Sequence, residues 1–89
     1  MERQEKQQRL TVNPYDHEKG KGTLGGVDVF LQPYRGKDYL VNNRARRVYR
    51  IEDERDDFAI VTLVTDKSLV HRILHESYKS HLGESRKQV

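Results

Sequence analysis

Arg44-Ala45-Arg46-Arg47-Val48-Tyr49-Arg50 runs through Ile51 into Glu52-Asp53-Glu54-Arg55-Asp56-Asp57. Four arginines fall in the first seven residues, and five acids fall in the last six. Residues 46–51 alternate as a strand does, with Arg46, Val48 and Arg50 on one face and Arg47, Tyr49 and Ile51 on the other. The acidic run at 52–57 then reads as the turn of a hairpin, and residues 58–64 as the returning strand. That strand, Phe58-Ala59-Ile60-Val61-Thr62-Leu63-Val64, is apolar almost throughout. It is therefore expected at the centre of a sheet, covered on both faces, or on one face and by a dimer contact.

Upstream of this hairpin, Val27, Val29 and Leu31 alternate with polar residues and predict another strand, which Pro33 ends or marks as an edge. Arg35-Gly36-Lys37-Asp38 has turn composition, residues 39–41 form a short strand, and Asn42-Asn43 a turn. Downstream, Leu69, Val70, Ile73, Leu74, Tyr78 and Leu82 recur at helical spacing. Asp66 or Thr65 suits the N-cap and Gly83 the C-cap. The expected fold is α+β: an antiparallel meander of three or four strands with one C-terminal helix packed on a face. One helix covers one face, so the other must be polar, or must bind a ligand or a second copy of the chain.

Residues 1–26 contrast with this pattern. They carry Asn13-Pro14, then Gly20, Gly22, Gly25 and Gly26 interleaved with Lys19 and Lys21. They are expected to form a flexible basic, Gly-rich arm. A single α+β domain then spans 27–83, and 84–89 form a frayed tail. Gly20-Lys21-Gly22-Thr23-Leu24-Gly25 fits G-x-G-x-x-G, but polar coil precedes it and a strand follows, so the dinucleotide reading is rejected.

Eighty-nine residues allow one small domain. Charged residues make up 35% and apolar residues 34%, with a net charge of +3. This balance is compatible with a polyanionic partner without requiring one. Cysteine is absent, which excludes disulfides and thiolate metal sites. No apolar run is long enough to span a membrane, and the N-terminus shows no signal peptide. The expected location is the cytoplasm.

Three chemical readings compete. The basic strand suggests contact with DNA or RNA phosphates through Arg44, Arg46, Arg47 and Arg50, extended by Arg35 and Lys37. Against this, the same arginines can pair with Glu52, Asp53 and Asp57 across the hairpin. The acidic run lacks the glycine and spacing of a cation loop, so no metal site is expected there. His71 and His75 stand at i, i+4 without a third ligand, so no metal or other cofactor is expected at the helix either. Either histidine could act as a general base beside Arg47 or Arg50 in ribonuclease chemistry. No catalytic residue is assigned, and a non-catalytic nucleic-acid-binding protein is the leading expectation. The third reading is a protein-interaction module, such as a phage- or plasmid-encoded inhibitor of a host protein, docked by the charge separation across 44–57.

Residues 46–82 resemble the C-terminal half of RelE/ParE-type toxins. The similar features are the R-x-V-Y-x-I strand Arg46-Arg47-Val48-Tyr49-Arg50-Ile51, an acidic turn, an apolar strand and a closing helix. That likeness implies a helical hairpin before the sheet and a ribonuclease with Arg46 and Arg50 near its cleft. Residues 49–83 also look like the end of a longin-type domain, which implies protein–protein work in membrane traffic. The layout is similar as well to the three-strand-plus-helix DNA-binding domain of some phage-type integrases. There a basic tail precedes the sheet, and a sheet face enters the major groove.

Overall fold

The computed structural model describes the backbone of residues 9–88 and the side chains of residues 9–79. Seven strands precede one helix: β1 Arg9–Val12, β2 Tyr15–Asp16, β3 Lys21–Leu24, β4 Val27–Tyr34, β5 Lys37–Asn42, β6 Arg47–Glu54, β7 Ala59–Leu63 and α1 Lys67–Gln88. All pairings are antiparallel, in the order β1-β7-β6-β5-β4-β3-β2. The α+β class and the C-terminal helix are as expected. The sheet is larger than the three or four strands expected, and it curls until it is nearly a barrel.

The extra strands come from the segment whose composition suggests a flexible arm. Residues 1–8 lie outside the described residues, but residues 9–24 carry β1, β2 and β3. Each contributes few apolar groups, and these point inward. Val12 and Tyr15 are buried, and Leu10 and Leu24 pack against the same core. The two ends of the sheet also meet: Asn13 N–H donates to the Thr23 carbonyl, Thr23 N–H to that of Pro14, and Tyr15 N–H to that of Asp57. Gly25 and Gly26 both have positive φ in the two-residue turn joining β3 to β4. Two left-handed residues match the right-handed twist of the flanking strands, so these glycines make a hairpin rather than a linker. The helical hairpin that the RelE/ParE likeness implies does not occur in residues 9–26.

Curling settles what covers each face. The inner face packs on itself through Val12, Tyr15, Val29, Leu40, Tyr49, Ala59 and Val61. It is neither a binding platform nor a face awaiting a second copy of the chain. On the outer face Ile73 and Leu74 of α1 pack on Tyr39, Val41 and Val48. The central strand is β5, not the segment at 58–64. β7 lies one strand in from the edge, with Ala59 and Val61 turned to the core and Ile60 half-buried. Its apolar run suggests burial on both faces because local composition does not show which strand will lie near an edge.

Other boundaries also differ from expectation. β4 continues through Pro33, which pairs with Asp38. The β3 pairing stops at Phe30, so the missing N–H interrupts no ladder on that side. Glu52, Asp53 and Glu54 belong to β6, and a register shift between Ile51 and Asp53 marks a bulge. At the helix start, Asp66 Oδ1 accepts from the Ser68 and Leu69 amides at 3.0 and 3.3 Å, the expected N-cap. The helix then passes through Gly83 instead of ending there, and takes in residues 84–88. Tyr78 is 60% exposed, and Ser77 is buried in its stead. At about 100° per residue Ser77 lies between Ile73 and Leu74 on the inward side, and Tyr78 is carried round to the flank. Leu82's side chain lies outside the described residues.

Candidate nucleic-acid interface

Four residues, 43–46, join β5 to β6. Asn42 Oδ1 accepts from the Ala45 amide at 3.1 Å, which closes the turn. Arg46 has φ 56°. It is therefore a left-handed turn residue, not the first residue of the strand, and it does not share a face with Val48 and Arg50 as expected. Val48 itself is buried beneath α1.

The turn lies beside the helix, and Asn43 Nδ2 donates to Ser77 Oγ at 3.4 Å. Between them runs an open cleft of about 670 Å³ lined by Phe30, Asn43, Arg46, His71, Leu74, His75 and Tyr78. A second hollow adjoins it, where Arg46 and His71 recur beside Arg47 and Lys67. Lys67, His71, His75 and Tyr78 follow one another at three- and four-residue steps and so form one stripe of α1. Among the described residues no carboxylate lines either hollow. Among the described residues none of Arg44, Arg46 and Arg47 is in an ion pair.

The six cations singled out from the sequence do not form one patch. Arg44, Arg46 and Arg47 gather at the β5–β6 end. Arg35 and Lys37 lie at the other end of β5, where Arg35 sits 5.6 Å from the centre of the Tyr34 ring. Arg50 lies between, on the outer face, and is neutralised. Its Nη2 is 3.0 Å from Glu52 Oε2, and its Nε donates to the same oxygen at 3.0 Å. Thr62 Oγ1 donates to that oxygen at 2.7 Å. The Thr62 hydroxyl, and then Arg50, hold the Glu52 carboxyl below the usual carboxylate range. Arg55 pairs with Asp53 at 2.9 Å. Pairing by the acidic run therefore claims Arg50 and Arg55 but leaves the turn arginines alone.

His71 and His75 are singled out by their i, i+4 spacing, but Tyr78 reads from the sequence as part of the apolar stripe, and Lys67 carries no signal that assigns it to a binding surface. Their spacing along the helix is visible, but the turn they face is distant in sequence.

A second polar cluster closes the opposite end of the sheet. Tyr15 donates its hydroxyl proton to Glu54 Oε2 at 2.6 Å, and His17 Nδ1 lies 2.8 Å from the same oxygen. Burial, and then the neighbouring Glu54 carboxylate, raise the Tyr15 hydroxyl pKa. The hydrogen bond to Glu54 raises that of His17. The Tyr15 hydroxyl, and then His17, lower that of Glu54. The cluster ties β2 to the end of β6 across the seam. Among the described residues no group of three His, Cys, Asp or Glu is placed to hold a metal ion, and no helix is long and apolar enough to cross a membrane. Comparison with protein-family models, curated proteins and solved structures finds no match to this chain.

Proposed function

We propose that this protein binds nucleic acid without cleaving it, through the cleft between α1 and the β5–β6 turn. The observation that carries the reading is a continuous set of cationic and imidazole groups from two elements, Arg46 and Arg47 with Lys67, His71 and His75, with no acid among the described lining residues. Arg44 extends it at the exposed turn. Phosphate neutralised by such groups releases counterions, so affinity falls steeply with salt.

Simultaneous replacement of Arg44, Arg46 and Arg47 by Gln tests this. These side chains are exposed, so the melting temperature should stay near that of the parent. The slope of log affinity against log salt should shrink by about 0.7 to 0.9 for each phosphate that is no longer neutralised. Binding to DNA and RNA indistinguishable from the parent would refute the reading. Arg35→Gln and Lys37→Gln serve as controls at the far end of β5.

The placing of His71 and His75 beside Arg46 favours a second reading, RNA cleavage, with an imidazole as general base and a guanidinium on the phosphoryl oxygens. Incubation with end-labelled RNA decides it. Cleavage that disappears in His71→Ala or His75→Ala while binding persists would support catalysis, and intact RNA after prolonged incubation would remove it.

A further inference from the structure

We infer that the cleft takes a single strand, with an unstacked base laid against Tyr78; this rests on the nucleic-acid reading above. Two observations carry it. Val27 and Tyr78 are the large apolar side chains left exposed among the described residues, and Tyr78 lines the cationic cleft. The cleft is also graded in polarity. Leu74 is buried and Phe30 half-buried, which gives an apolar floor, while Arg46, His71 and His75 are exposed around it.

A duplex cannot use that floor. Its base faces are covered by their stacked neighbours, and it offers an outside surface of phosphate, sugar and base edges. A single strand offers free base faces beside each phosphate. Stacking on an aromatic ring is tolerant of sequence because every base has a π-face. The spacing of chemistry in the cleft, an aromatic surface bordered by Arg46 on the turn and His71 and His75 on the helix, matches a base with its flanking phosphate. The inner sheet face, where Tyr15 and Tyr49 lie, offers no rival platform, because it is closed into the core.

The test compares a short fluorescein-labelled single strand with the duplex of the same sequence, using fluorescence anisotropy on the full chain. The parent should prefer the single strand. Tyr78→Ala should weaken single-strand binding by about tenfold, leave duplex binding unchanged and leave the salt slope unaltered. Tyr78→Phe keeps the ring and should restore the parent affinity. Equal affinity of the parent for both probes, or equal weakening on both in Tyr78→Ala, would overturn the inference while leaving the charge-based reading standing. Absence of binding to either probe would overturn both. Photo-crosslinking of the unaltered protein to an iodouracil-bearing strand avoids any folding effect of substitution. Adducts at Tyr78 support the inference, and adducts confined to residues outside the cleft overturn it.

Discussion

Gly22→Ala should lower the stability of the protein by about 1–3 kcal/mol, read as a drop in the urea midpoint at unchanged slope. Gly22 sits at the seam of the curled sheet. It pairs with Tyr15 on one side and Val29 on the other. An added Cβ would fall 2.5 Å from Val12 Cγ1, 3.0 Å from the Pro14 carbonyl oxygen and 3.1 Å from Tyr15 Cδ1. Val12 is fully buried and the Pro14 oxygen belongs to the backbone, so neither can swing away cheaply. The methyl group would therefore push β1 from β3 and open the closure. Stability equal to the parent would show that this seam does not hold the fold. Binding through the far cleft should persist in whatever fraction remains folded, because that surface shares no residue with the seam.

Glu54→Ala should cost about 1–3 kcal/mol, because it leaves the Tyr15 hydroxyl in a largely buried setting without its acceptor. The effect should depend on pH in a defined sense. Glu54 has a lowered pKa in the fold, so its contribution is present above about 4.5, its ordinary value, and is lost as pH falls through the folded value. His17 has a raised pKa, so its contribution is complete below about 6.5 and is lost as pH rises through the folded value. The two windows overlap between about pH 4.5 and 6.5. The difference in melting temperature between parent and Glu54→Ala should be greatest there and narrow on either side. His17→Ala should remove the alkaline part of that narrowing and keep the acid part. A difference constant across pH would mean that the cluster is not ionised as the geometry requires.

The charge pattern also has a consequence for partners. β6 begins at Arg47 and ends at Glu54, so basic and acidic groups occupy its two ends, about 23 Å apart at strand rise. Acids at the far end do not screen the basic cleft at physiological salt, where the Debye length is about 8 Å. Arg50, in the middle, is the arginine that its neighbours claim. The polarity visible in residues 44–57 is therefore preserved in space, though with fewer free cations than their number in the sequence suggests.

The helix and the two strands around the acidic run are legible in the residues because their signals are local. Asp66 caps the helix through amides two and three residues away, and Leu69, Val70, Ile73 and Leu74 repeat within two turns. The first strands escape a sequence reading for the same reason: their own residues offer too little apolar surface to order them. Leu10 and Val12 gain their value only opposite Val61 and Ala59, and Tyr15 only against Gly22 and Glu54. Those pairings join segments far apart in the chain, and no local period encodes them. The candidate site divides likewise. Sequence alone determined that Arg44, Arg46 and Arg47 lie within four residues of one another beside a strand. Only the tertiary structure decided that Arg46, in a left-handed turn, would face His71, His75 and Tyr78. That meeting depends on where α1 settles on the outer face, and burial of Ile73 and Leu74 against Tyr39, Val41 and Val48 sets it.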